Sequence, residues 1–211
     1  MSQMRLYALL LACLLGAAHP ACDSQPTAPL PPVLSPFEQF EAILADRDTD
    51  TPATTAQRLA ALVAAVAPTF EHLPLREGRR LVFLLEAASG PWSVAGSFNG
   101  WSLSALPMAW VQPGSGWWYA IYDLPTGAGD WHEYKFVREP ESASPTWHTD
   151  PLNRRFTYPF TNSVLNLPGS GRSHLERWSS IASAQLHHAR DVLVYVPAQA
   201  VALHASQQVA D

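Results

Sequence analysis

Cysteine is almost absent from this chain: Cys13 and Cys22 are the two in 211 residues, and none follows them. Residues 23–211 therefore hold no disulfide and no cysteine ligand, so their stability must come from burial. Charge is sparse as well, at 15% of residues. Lys and Arg form no run or stripe. Beyond residue 21 only Arg5 is lost, which takes the basic residues from 13 to 12 against 18 acidic ones. Neutralising phosphates needs clustered Lys and Arg, so nucleic acid is not an expected partner. The one long apolar run, Leu6 to Ala18, falls short of the roughly 20 residues that span a bilayer. A nucleophile elbow, Gly-x-Ser-x-Gly, is missing; Gly114-Ser115-Gly116 and Gly169-Ser170-Gly171 are loop sequences without its strand–turn–helix setting. Ligand-spaced histidines are missing too. His187 and His188 are adjacent, so on a helix they would point about 100° apart, and His132-Glu133 alternate across a strand. Neither catalysis by the chain as given nor a metal or other cofactor is expected.

What is present begins with an export signal: a short basic start to Arg5, the apolar run, then small residues. Cys22 resembles the lipidated cysteine of a bacterial lipoprotein, since a Pro/Ser/Gln/Thr tether (Asp23 to Pro36) follows it. His19-Pro20-Ala21 lacks the usual leucine of that signal, and plain secretion with cleavage near Ala18 is the alternative. Either way the chain is expected outside the cytoplasm, periplasmic or at the cell surface. It would meet the membrane through a lipid anchor only.

Nineteen prolines punctuate the sequence, and those between residues 23 and 36 mark an extended spacer. Ser35-Pro36-Phe37-Glu38 is a helix start, with serine as N-cap, proline at the first position and glutamate at the third. Phe37, Phe40, Ile43 and Leu44 recur at helical spacing. After a polar break (Asp46 to Thr51), Leu59, Leu62, Val63 and Val66 form a second apolar stripe. This helical segment, residues 37–73, is expected to cover one face of a β domain.

From Arg79 the period changes to that of strands. Arg80–Leu85, Trp92–Phe98, Met108–Val111, Trp117–Tyr122, His132–Arg138 and Ser163–Leu167 read as strands between Gly/Pro turns. Asn99-Gly100 is a hairpin-type turn signal. Seven of the eight tryptophans lie between Trp92 and Trp147, concentrating the aromatic surface in this β region. Short, closely spaced strands favour a β-sandwich.

Ser97-Phe98-Asn99-Gly100-Trp101, Tyr134-Lys135-Phe136, Trp147 with Asp150-Pro151, and Asn162 stand in an order that resembles a known family. It is the immunoglobulin-like early-set domain, the glycogen-binding module of AMP-activated kinase β subunits, which also precedes many α-glucan branching and debranching enzymes. The resemblance covers roughly residues 79–168. It implies a mainly β fold: an early-set β-sandwich over residues 74–168, with the helical pair before it and a flexible C-terminal tail after it. It also implies binding of an α-glucan such as glycogen or starch. Trp101 and Trp147 would be stacking platforms, and Lys135 and Asn162 polar contacts. Phe160 stands where the family usually has a small hydroxyl residue, and no leucine clamp is evident. A second role for the two tryptophans, packing against another domain, stays open.

Beyond a linker starting at Pro168 comes Arg190-Asp-Val-Leu-Val-Tyr-Val-Pro197, a strand apolar on both faces. Such a strand expects burial on both sides, as in an α/β sheet; failing that, it should pack poorly or join the edge of the sandwich. The junction resembles that of bacterial exported esterases of the enterobactin-esterase type, in which an early-set domain precedes an α/β-hydrolase domain. Residues 169–211 would then be a linker and the first strand of that domain. The two functional expectations are thus an exported, non-catalytic α-glucan-binding module, and the N-terminal region of a carboxylic-ester hydrolase.

Overall fold

Leu81, Phe83 and Leu85 point to one side of their strand and Val82 and Leu84 to the other, yet all five are buried. That two-sided burial sets the layering. The computed structural model describes residues 33–67, 73–167, 170–183, 185 and 187–198. Two helices, α1 (Pro36–Asp46) and α2 (Pro52–Val66), are followed by β1 (Leu75–Glu77), β2 (Arg80–Glu86), β3 (Trp92–Gly96), β4 (Ala109–Trp110) and β5 (Trp117–Asp123). Then come β6 (Trp131–Arg138), β7 (Thr146–His148), β8 (Arg155–Phe156), β9 (Ser163–Asn166), β10 (His174–Ser183) and β11 (His188–Val196). The fold is mainly β, with two antiparallel sheets packed as a sandwich. The smaller sheet has the order β1-β2-β5-β4; the larger runs β11-β10-β8-β9-β6-β3, with β7 beside β6.

Between the sheets lies one core, in which Leu81, Phe83 and Leu85 meet Val94, Trp92, Trp118, Tyr134, Phe136 and Leu165. The second core lies under the helices, where Phe37, Phe40, Ile43, Leu59, Leu62 and Val66 close over Leu75, Val82, Leu84, Val111 and Trp117. The helical pair therefore forms a third layer on the smaller sheet, as its apolar stripes require. Its ends are set locally. Glu38 N–H donates to Ser35 Oγ (3.2 Å) while Ser35 N–H donates to Glu38 Oε2 (2.7 Å), and Thr51 caps α2 through Thr54 N–H (3.2 Å). Gln112, in the β4–β5 loop, accepts from Thr55 Oγ1 at 2.6 Å and donates to Asp50 O at 2.9 Å, pinning the helices to the sheet.

Three sequence expectations need correction. Asn99-Gly100 does not join two paired strands: β3 pairs with β6, and Ser97–Asn99 is a 3₁₀ turn closed by Gly100 at φ 65°. The apolar strand β11 is not buried on both sides. It adds to the sheet edge through β10, and Leu193 and Tyr195 remain 58% and 64% exposed. Edge addition, the alternative for this strand, is what occurs. Finally, the expected linker and flexible tail contain a further strand: His174–Ser183 forms β10, paired with β8 and β11, and its register shift between Trp178 and Ile181 interrupts the alternation that would mark it. The strands β1, β7 and β8, of two or three residues, show no period of their own. Cys22 and the expected export signal lie outside the described residues.

Candidate functional site

On β6, alternate residues divide between the intersheet core and the opposite, outer face of the larger sheet. Tyr134 and Phe136 go to the core, leaving Glu133, Lys135 and Val137 on the outer face. Trp147 pairs directly with Val137, so it shares that face. Ser163 pairs with Tyr134 and Val164 with Glu133; one step further along this register Asn162 falls opposite Lys135. The edge of β6 is taken by β9 for its first half and by β7 for its second, and Lys135 sits at the changeover.

Trp101 reaches the same place by way of the turn after β3. The Asn99 carboxamide substitutes for strand pairing there: Oδ1 accepts from Gly96 N–H and Nδ2 donates to Val94 O, both at 2.9 Å. Gly96 must lack a side chain, since a Cβ would stand 2.6 Å from Glu133 O and 2.9 Å from Tyr134 Cβ. Gly100 and Trp101 both take positive φ (65° and 60°), and Trp101 N–H donates back to Gly96 O at 2.8 Å. A left-handed tryptophan is costly, and here it directs the indole onto Trp147. The ring centroids lie 6.2 Å apart, inclined by 53°. Trp101 is half-buried and Trp147 43% exposed.

The four residues expected from the sequence therefore share one region of one sheet face. Among the described residues, the Lys135 ammonium and the two indole N–H groups have no hydrogen-bond partner. Asn162 differs: its Nδ2 donates to Glu133 Oε2 at 2.7 Å, which leaves Oδ1 as the open atom. Sequence reasoning missed Glu133, although its spacing of two from Lys135 places both on one face. It also missed the exposure of Tyr158 and Phe160, 81% and 71%, in the loop before Asn162.

Asp150-Pro151 is a structural turn, closed by Asn153 N–H donating to Asp150 O at 3.3 Å. Asp150 is buried; its Oδ1 accepts from Leu152 N–H (2.8 Å) and its Oδ2 from Tyr134 Oη (2.6 Å). Asn153 Nδ2 donates to Tyr134 Oη and to Val164 O, and Ser163 Oγ accepts from Asp150 N–H. Burial pushes the Asp150 carboxyl up to about 6, even though these donors favour its charged form. The contact nearest to a nucleophile–base pair is Ser97 Oγ···His132 Nδ1 at 3.2 Å. His132 Nε2 faces Gly129 O at 3.3 Å rather than a carboxylate, and burial lowers its pKa. The Ser97 oxygen is further occupied as acceptor for Glu133 N–H. This is a turn-stabilising contact; it lacks the oriented base of a hydrolytic triad.

Scanned against protein-family models the chain matches none, and a search of curated proteins also returns no match.

Proposed function

We propose that the chain is an exported, non-catalytic carbohydrate-binding module whose outer sheet face takes an α-glucan. The observation that carries this reading is the Trp101–Trp147 pair, held on one face with the Lys135 ammonium and the Asn162 Oδ1, both without a hydrogen-bond partner among the described residues. Sugar rings offer C–H faces to aromatic planes and hydroxyls to polar groups at the rim. Two indoles inclined at 53° suit a curved chain better than a flat one. Lipidation at Cys22, followed by the Pro-rich spacer, would hold this face near the cell surface.

Affinity electrophoresis in gels containing glycogen or starch tests the reading. Retarded mobility is expected for the wild type, and unchanged mobility would reject it. Trp101→Ala and Trp147→Ala should each weaken binding by roughly 1–3 kcal/mol, on the scale of aromatic stacking against nucleobases. If neither substitution has an effect, the site lies elsewhere.

A second reading has its own support. The residues Val192 to Tyr195 are apolar on both faces of β11 and stay exposed, 38% to 64%, at the end of the larger sheet. Such a strand is suited to burial within a further domain, as in a carboxylic-ester hydrolase whose front part this chain resembles. Translating the DNA downstream in all three frames decides it: a Gly-x-Ser-x-Gly within a few hundred bases establishes that origin, and unrelated sequence removes it.

A further inference from the structure

Glu133 lies on the outer face of β6, two residues before Lys135, and its Oε2 is where both ends of the β8–β9 turn meet. Asn162 Nδ2 donates to it at 2.7 Å, and Thr157 Oγ1, from the other end of that turn, at 3.4 Å. The ends are also joined to each other, Thr157 N–H donating to Asn162 O at 2.9 Å. Thr149, just after Trp147 and β7, holds the same turn by donating from Oγ1 to Thr161 O at 2.7 Å. With the main chain tied in this way, the freedom left at Asn162 is the orientation of its carboxamide. Two orientations of that group fill nearly the same space, one offering oxygen to a ligand and the other NH2. A carboxylate has no hydrogen to give, so only the NH2 edge can face Glu133. Asn162 Oδ1, which has no partner among the described residues, is then the edge offered outward.

We propose that Glu133 is a positioning residue that makes Asn162 an acceptor, so that this face takes hydroxyl hydrogens at Asn162 and hydroxyl oxygens at Lys135. The inference rests on the glucan reading and adds to it how the polar contacts are set. Without the carboxylate, the carboxamide can present either edge. Its NH2 beside the Lys135 ammonium would leave donors alone at this end of the face, and the sugar's hydroxyl hydrogens would find no acceptor there.

Isothermal titration calorimetry of the full chain with the α-glucan oligosaccharide maltoheptaose tests it. Glu133→Ala is expected to weaken binding about three- to tenfold, the scale of one lost hydrogen bond, and Asn162→Ala by a similar factor. Glu133→Gln can still offer an oxygen to Asn162 but no longer enforces it, so its affinity should fall between wild type and Glu133→Ala. The double variant should bind no more weakly than Asn162→Ala alone, because Glu133 acts through Asn162. Additive losses would mean that Glu133 touches the sugar itself, and would overturn the proposal. So would a Glu133→Ala variant that binds like wild type. Circular-dichroism melts verify folding; if Glu133→Ala does not fold, the nearly isosteric Glu133→Gln decides, and wild-type affinity in it overturns the proposal. A wild type that does not bind maltoheptaose removes the glucan reading and this inference together, whereas binding that is indifferent to Glu133 removes the inference alone.

Discussion

Phe40→Ala is expected to destabilise the whole β-sandwich by about 3–5 kcal/mol, the range for removing a buried aromatic ring. Phe40 is fully buried and belongs to the core that joins α1 and α2 to the smaller sheet. Its ring lies 5.6 Å from that of Tyr119 on β5. Alanine would leave a cavity beneath the helices that their caps and the Gln112 link would keep from collapsing. With total stability of about 5–15 kcal/mol for a domain, such a loss brings the chain close to unfolding. Urea titrations followed by tryptophan fluorescence and by helical circular dichroism should shift together. Exposed Glu41, paired with Arg80 at 3.0 Å, is the control: Glu41→Ala should cost no more than about 1 kcal/mol. If Phe40→Ala melts the helices early while the tryptophan signal keeps its midpoint, the third layer is an appendage and not part of the folding unit.

That the helices and β2 could be read directly follows from how much signal each carries. Ser35, Pro36 and Glu38 state a helix start through short-range hydrogen bonds that need no tertiary partner. Arg80–Glu86 is apolar at five successive positions, and both of its faces are indeed covered. The same logic misled at β11, because two-sided apolarity says what a strand needs and not whether a partner is there. Asn99-Gly100 misled for another reason. The dipeptide supplies the positive φ of a turn, while the Asn99 side chain bonds back to Val94 and Gly96 and so ends one strand without starting its partner. At the site, Lys135 and Trp147 were legible by type, but their shared face depends on the β6–β7 register, which only the folded sheet defines. The burial of Asp150 was not legible. Its link to Tyr134 crosses sixteen positions of sequence and has no local signature.

That buried link carries the second large expected effect. Asp150 has a pKa of about 6 in the fold against an ordinary value of 3.8, so the folded state holds its proton more tightly than the unfolded chain does. The sign follows from linkage. The stabilising contribution is complete below the ordinary value and is lost as pH rises through about 6, amounting to about 3 kcal/mol across that window. Glu176, held below the usual carboxylate range first by its hydrogen bond from His174, works in the opposite sense, so the Asp150 effect is read by comparing variants with wild type. Tyr134 stays protonated, since burial and the neighbouring carboxylate raise its pKa well above normal, and its hydroxyl therefore donates to Asp150 Oδ2. Tyr134→Phe removes a donor to a buried charge, costing about 1.5–3 kcal/mol above pH 7, where Asp150 is ionised. Near pH 4 the carboxyl is neutral and the same substitution should cost about 1 kcal/mol. Asp150→Asn keeps an acceptor for Leu152 N–H but cannot titrate, so its stability should vary less between pH 4 and 7 than that of wild type. Urea unfolding of all three proteins at pH 4 and 8 separates these cases. A Tyr134→Phe penalty that is the same at both pH values would mean that Asp150 does not change its protonation state between pH 4 and 8, against a carboxyl raised to about 6 in the fold.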